Sequence, residues 1–252
     1  MKKGDITFTQ LTIALILSFA IVFSLFYFLN FSFPRTRVIT LYKVNFTVPI
    51  EKKEVTIYIP AVDQYGNGVT TKLKVEALPG KGRVLVDINQ ILFWIDTQQS
   101  IQIAKKVAQE ITHKDLSDVD LMYTIEANVS LVEGPSAGAA ITIATIAALE
   151  NKSINRSVMI TGTINPDGSI GPVGGILAKA KAAKEVGATL FLVPKGQGTQ
   201  INYIPKKTCE KIGPVIFCRV VYIPEKVDIS KEVGIKVIEV SNIREALKYM
   251  LV

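Results

Sequence analysis

The sequence predicts a mixed α/β domain, strands and helices interleaved, carried behind one N-terminal transmembrane helix. Three observations predict it. Residues 11–33 read LTIALILSFAIVFSLFYFLNFSF, with no charged side chain, and about 20 such residues in a helix cross a ~30 Å hydrocarbon layer. Between Val55 and Ile88 apolar residues recur at alternate positions between Gly, Pro and Asn punctuation, the period of strands. From Asp96 onward, segments of helical spacing alternate with short strand-like runs, the pattern of a layered α/β domain. The chain therefore divides into a short tail at 1–10, an anchor at 11–33, a connector at 34–54 and a domain at 55–252.

The anchor competes with a cleavable signal peptide, because Lys2 and Lys3 precede the apolar run. The run exceeds the usual apolar region of about 7–15 residues, and no small-x-small site precedes Pro34 and Arg35, so an uncleaved anchor is the better reading. Lys2 and Lys3 on one side face Arg35, Arg37 and Lys43 on the other, and charge counting leaves the orientation open. Two features lean towards a domain outside the cytoplasm. Cys209 and Cys218 stand nine apart around Gly213-Pro214, the spacing of a disulfide closing a hairpin, with two unpaired buried thiols the equal alternative. Glycosylation triplets begin at Asn30, Asn45, Asn128, Asn151 and Asn155, although such triplets arise readily by chance.

The net charge is +7, yet the basic residues are dispersed among acids, as in Glu51-Lys52-Lys53-Glu54. Without a basic run or interleaved aromatics, nucleic acid is not an expected partner. A solvated basic surface near anionic lipid is the simpler reading.

Along the chain, alternation in Val44–Val48 and Val55–Pro60 gives strands, Gly66-Asn67-Gly68 a turn, and Thr71–Leu78 another strand. Pro79–Gly82 turns the chain into Arg83–Ile88. A helix is expected from Asp96, with Asp96 as cap and Gln99 completing a capping box. Its apolar face is Ile101, Ala104, Val107, Ala108 and Ile111. His113 falls just past that face, a helix-end residue with nothing nearby to orient it for catalysis. Leu121–Val132 alternates as a strand, Ala139–Leu149 reads as a buried helix, and Val158–Gly162 as a short strand. A turn follows at Asn165–Gly168. A helix from about Gly175 to Val186 stops at Gly187, Thr189–Val193 returns as a strand, and a hairpin around the cysteines, a strand at Ile235–Val240 and a helix from Ser241 complete the chain.

The chemistry gathers at Gly134-Pro135-Ser136-Ala137-Gly138 and at Lys179. His113 is the single histidine, so a serine nucleophile has little imidazole to recruit and lysine is the remaining base. Ser136 opens a helix, where free N–H groups and the helix dipole converge on developing negative charge. Gly134 and Gly138 leave room for a substrate backbone, and Pro135 suits a helix start. The plain alternative is a serine N-cap. A lysine base needs its pKa lowered towards roughly 7–8, and Lys179, near the start of its helix, meets one condition for that; for Lys179 alone a solvated helix surface is the simpler reading. Lys181 and Lys184 lie on other faces. Thr161 stands where its hydroxyl could hold the amine towards Ser136, or serve as strand packing. Glu133 caps the nucleophile helix or orients the site, with a solvent-facing carboxylate the equal alternative.

Taken together, Glu133–Gly138, Thr161-Gly162-Thr163-Ile164, Gly168–Gly175 and Lys179, with the earlier Leu78–Gly82, resemble the proteolytic domain of the Lon protease family from about Leu73 to the C-terminus. The resemblance implies Ser136 as nucleophile, Lys179 as general base and Thr161 as the family's threonine; Glu133, Gly134 and Ala137 are read as supporting residues beside them, with no cofactor or metal expected. It also implies peptide or unfolded protein substrates and a homo-oligomeric ring, usually a hexamer, held to membrane lipid through residues 11–33. Two departures stand out. Thr163 replaces the family's Glu after Thr-Gly, and the 252 residues contain no G-x-x-x-x-G-K-[ST] phosphate loop, which points to an ATP-independent, membrane-anchored, archaeal-type relative. The competing readings are a non-catalytic anchored scaffold with a Lon-like fold and a signal-peptidase-like enzyme, whose nucleophile would be expected nearer the anchor.

Overall fold

The computed structural model describes residues 8–31, 53–87, 92–93, 95–126, 131–132 and 134–252. It separates into two units, Met1–Phe46 and Thr47–Val252. The first contains α1 (Phe8–Phe31), a helix without an acidic or basic residue, and every side chain described on it is exposed. Among the described residues no helix is long and apolar enough to cross a membrane; the longest unbroken run of described side chains in α1 is Leu15–Phe28, 14 residues. A helix thus covers residues 11–31 of the expected anchor. Residues 32–52, with most of the expected 34–54 connector and the Val44–Val48 strand, lie outside the described residues, and the connector's last two residues, Lys53 and Glu54, open the first strand instead.

The second unit is built on two sheets. β1 (Lys53–Val62) and β2 (Gly68–Pro79) pair antiparallel from Lys53–Ala77 to Val62–Gly68. Asp63 shapes their turn: one carboxylate oxygen accepts from the N–H groups of Tyr65 and Asn67 at 2.9 and 2.8 Å. β3 (Val84–Asp87) and β5 (Val119–Glu126) complete a four-stranded sheet in the order β1-β2-β5-β3, the last pair parallel. Alternation decides its faces: Val55, Ile57, Ile59, Leu73 and Val75 are buried, with Thr56 and Lys74 between them less so. β4 (Leu92–Phe93) pairs in parallel with β6 (Leu131–Val132). Of the single strand expected over Leu121–Val132, Leu121–Glu126 pairs with β2 and Leu131–Val132 with β4, while residues 127–130 lie outside the described residues.

α2 (Ile95–Thr112) buries Ile101, Ala104, Val107 and Ala108, the face read from spacing. Asp96 lies inside its first turn rather than ahead of it, where its charge meets the helix dipole instead of capping. His113 is exposed in a left-handed conformation just beyond the helix. α3 (Gly138–Glu150) is buried along its length except at Glu150, and a helix apolar all round is stable only inside a core. Its two buried threonines satisfy themselves by donating to the carbonyls of Gly138 and Ile141, both at 2.8 Å. Tyr123 meets Thr145 at 2.9 Å, and burial raises the tyrosine pKa.

The second sheet is parallel: β7 (Val158–Ile160), β10 (Leu190–Pro194) and β13 (Lys236–Val240) lie in the order β13-β10-β7. β8 (Thr163–Ile164) and β9 (Ile170–Gly171) flank the Asn165–Gly168 turn. α4 (Ile176–Glu185) and α5 (Ile229–Val233) cover the sheet through Ile176, Ala180, Ala183, Ile229 and Val233. α6 (Ile243–Met250) is capped by Asn242 and buries Ile243, Ala246 and Met250 against α3. α5, only five residues long, was not legible in the apolar pattern. β11 (Thr199–Ile212) and β12 (Val215–Asp228) form a separate two-stranded hairpin, longer than its sequence suggests, with Cys209 bonded to Cys218.

Candidate active site

Gly134 enters the site at φ +92°, a conformation that favours glycine. Pro135–Ala137 then form a short 3-10 turn that runs directly into α3. Ser136 is the middle residue of that turn, half-buried, and neither this turn nor α3 has a side-chain cap at its start. The N-cap alternative therefore does not describe Ser136. Gly138 serves close packing rather than substrate access. A Cβ there would sit 2.6 Å from Cγ2 and 2.8 Å from the backbone nitrogen of Ile164.

Residues 161–162 hold the serine from behind. The Gly162 N–H donates to the Ser136 carbonyl at 3.0 Å, and the Thr161 hydroxyl donates to the same oxygen at 3.3 Å. In return Ala139 donates its N–H to the Gly162 carbonyl at 3.0 Å. Thr161 is completely buried and its own N–H joins the Leu192 carbonyl at 3.1 Å, so it continues the β7–β10 ladder past Ile160. The expected threonine is thus at the serine, through the backbone carbonyl. Its oxygen keeps acceptor capacity for a second group. The N–H groups of Ser136 and Ala137 stand ahead of the turn's first internal bond, Gly138 N–H to Pro135 carbonyl, where helix starts leave donors free.

Lys179 lies in the first full turn of α4, its N–H bonded to the Gly175 carbonyl at 2.9 Å. Its side chain is only 4% exposed, so a solvated surface does not describe it. Burial alone lowers its pKa from 10.5 to about 8, placing a usable base near neutral pH. β1 packs against both the Ser136 turn and α4, which gives the two segments a common support. Among the described residues no hydrogen bond joins Lys179 to Ser136. Ala137 is buried at the end of the turn; Glu133 lies outside the described residues.

Two side chains missed by sequence reasoning organise neighbouring loops. Gln197 clamps Val173 from both sides, accepting from its N–H at 2.9 Å and donating to its carbonyl at 2.8 Å. This fixes the segment leading through Gly174-Gly175 into α4, beside a cavity of about 200 Å³. Nothing in a lone glutamine within Lys-Gly-Gln-Gly signals that role. Asp120 is buried and accepts from the N–H groups of Lys81 and Arg83, both at 2.8 Å, and from the Arg83 guanidinium. Arg83 holds its carboxyl well below the usual range. The Leu78–Gly82 segment is therefore the end of β2 followed by a turn, Gly80–Gly82, folded round a carboxylate that lies about 40 residues further on. Among the described residues no group of three or more His, Cys, Asp or Glu side chains is placed to hold a metal ion.

Comparison with known proteins bears on this arrangement. Residues 67–223 match the Lon protease (S16) C-terminal proteolytic domain, more than half of the chain. The chain belongs to this family. The archaeal Lon protease of Thermoplasma acidophilum is 32% identical over 125 residues, covering 46% of this chain and 19% of that protein. That of Thermoplasma volcanium is 35% identical over 106 residues, 42% of this chain and 15% of the relative. A Lon protease of Lachnoclostridium phytofermentans is 26% identical over 175 residues, 67% of this chain and 21% of its own length. The chain thus spans about a fifth of the length of these curated relatives. Membership in the Lon proteolytic-domain family supports a serine peptidase, on a fold whose mixed strands and helices accord with it.

Proposed function

We propose that this chain is a membrane-anchored serine endopeptidase that cleaves peptides or unfolded proteins without ATP, using Ser136 as nucleophile and Lys179 as general base. Ser136 attacks the scissile carbonyl while the neutral Lys179 amine takes its proton. The free N–H groups of the Ser136 turn stabilise the oxyanion, and Lys179 returns the proton to the leaving amine. Water then repeats the sequence on the acyl-enzyme. Thr161 and Gly162 fix the serine through its carbonyl, and the Thr161 oxygen accepts from the amine. The observation that carries the reading is the buried Lys179 with its pKa at about 8, since a surface lysine near 10.4 would be almost wholly protonated at neutral pH.

The membrane part rests on α1, whose 24 residues carry no charge and rise about 36 Å as a helix. ATP independence is part of the proposal, and the assay with and without ATP tests it. The Cys209–Cys218 disulfide favours a domain outside the cytoplasm, and the family resemblance favours a homo-oligomeric ring. Purified full-length chain is tested on casein and fluorogenic peptides with and without ATP, alongside Ser136→Ala and Lys179→Ala. Hydrolysis lost in both variants and indifferent to ATP is expected. Hydrolysis that survives Ser136→Ala overturns the reading, and a wild-type chain inert to every substrate and to serine-directed reagents returns it to a scaffold.

A further inference from the structure

β11 and β12 pair over their whole length, yet among the described residues their sheet has only these two strands. Every residue from 203 to 226 is exposed, so neither face is covered. Hairpins of two strands are marginal in water, and soluble surfaces seldom leave a large contiguous apolar patch open. Exposed apolar side chains run along both strands, from Ile201, Tyr203 and Ile204 to Val220–Ile223, and four of them, Ile212, Val215, Ile216 and Phe217, meet at the turn. Ile212 is 63% exposed, Ile216 64% and Phe217 59%.

The register shows what could cover them. Residues directly opposite share a face and successive pairs alternate. Ile216 with Lys211 therefore points one way, and Phe217 with Glu210 and Ile212 with Val215 point the other. Apolar groups leave the tip on both faces, which one flat protein surface cannot cover but a fluid apolar phase surrounds. Pro214 at the turn has no N–H, so the tip carries one fewer donor to desolvate. The disulfide ties the strands three pairs behind the Ile212–Val215 pair. Behind the tip, four basic residues from Lys206 to Arg219 stand against one acid, Glu210, a net +3. An apolar point ringed by positive charge is complementary to an anionic lipid interface. The unpaired outer edges of both strands limit insertion to the headgroup level, because hydrocarbon cannot satisfy them.

We propose that the tip of the β11–β12 hairpin docks into an anionic lipid surface, its apolar turn inserted and the basic residues behind it against the lipid phosphates. The proposal rests on the hairpin and is independent of the peptidase reading. Full-length chain is mixed with vesicles of zwitterionic lipid, with or without about one-third anionic lipid, and followed by flotation and by quenching from brominated lipid. Phe217→Trp reports the tip and Tyr65→Trp, at the exposed β1–β2 turn, is the reference. Each is read as the difference from the unsubstituted chain, whose single tryptophan is Trp94.

The expected result is quenching at position 217, well above that at 65, on anionic vesicles. Reversing Lys206, Lys207 and Lys211 to Glu is expected to weaken it by about fivefold or more per charge. Flotation on both vesicle types without quenching at 217 leaves the anchor standing and overturns tip docking. Tip quenching with flotation on anionic vesicles alone supports the docking and removes the anchor. Cross-links between hairpins of two chains, with 217 unquenched, assign the surface to a second copy and overturn the proposal, as does failure to float on any vesicle.

Discussion

Replacing Lys179 by Met separates what the lysine does for catalysis from what it costs the fold. The folded side chain titrates at about 8 against an ordinary 10.5, a difference equivalent to about 3 kcal/mol at ~1.4 kcal/mol per pH unit. The sign follows from the direction of the shift. Below pH 8 both folded and unfolded chains hold the proton, and the folded state bears the full cost of a buried ammonium. Between about 8 and 10.5 the folded chain has released the proton while the unfolded chain keeps it, so stability rises with pH. Lys179→Met has similar length and no charge, and is expected to melt higher than the wild type at pH 7, by up to that amount, with the gap narrowing towards pH 10.5. Catalysis runs the other way. At pH 7 roughly one amine in ten is neutral when the pKa is 8, against about one in a few thousand at 10.4. In wild type kcat/KM should climb about tenfold per pH unit below 8 and level off above it, while Lys179→Met is inactive throughout. Peptide hydrolysis from pH 6 to 10 and thermal melting at pH 7 and 10 supply both readouts. A flat pH–rate profile, or a Lys179→Met variant that is less stable at pH 7, refutes the reasoning.

Other substitutions probe the support of the site. Thr161→Val keeps the shape and removes the hydroxyl bonded to the Ser136 carbonyl, so stability should fall by about 1 kcal/mol and kcat by more than KM changes, with Thr161→Ser restoring much of the rate; kcat unaltered in Thr161→Val counts against it. Gly138→Ala drives a methyl to 2.6 Å from Ile164, and melting curves should show a loss of about 1–3 kcal/mol, as for other overpacked cores. Reducing or replacing the Cys209–Cys218 pair opens a loop of nine-residue separation, worth about 3 kcal/mol by chain entropy. Limited proteolysis should then cut between residues 199 and 228 at a higher rate, while the melting of the core stays unchanged.

The strands of the main sheet and the buried face of α2 were legible because alternation and helical spacing are local signals, as at Ile57, Ile59, Ile101 and Ala104. The change of partner between Glu126 and Leu131 was not, because Leu131 and Val132 continue the alternation and only the choice of partner strand divides them. At the site, the sequence placed Ser136 at a helix start and Lys179 one turn into another. Spacing put Lys181 and Lys184 on other faces of that helix, but it did not tell that Lys179 is buried, because burial depends on what packs over its face from elsewhere in the chain. Gly138 looked like an opening for substrate and proved to be a seat for Ile164, a contact between residues 26 apart in the chain. Gln197 and Asp120 stayed hidden for the same reason: each acts on backbone far from its own position.

The contrast between α3 and the hairpin has a consequence for how this protein can drift. From Gly138 to Leu149 every side chain is enclosed, and Gly, Ala, Ile, Thr and Leu there already fill their space, so nearly any enlargement in that stretch displaces Ser136, which sits in the 3-10 turn immediately ahead of it. From 203 to 226 nothing is enclosed. A saturation library should therefore be nearly empty of viable changes along α3 and crowded along the arm, leaving the chain free to change what it touches while what it does stays fixed.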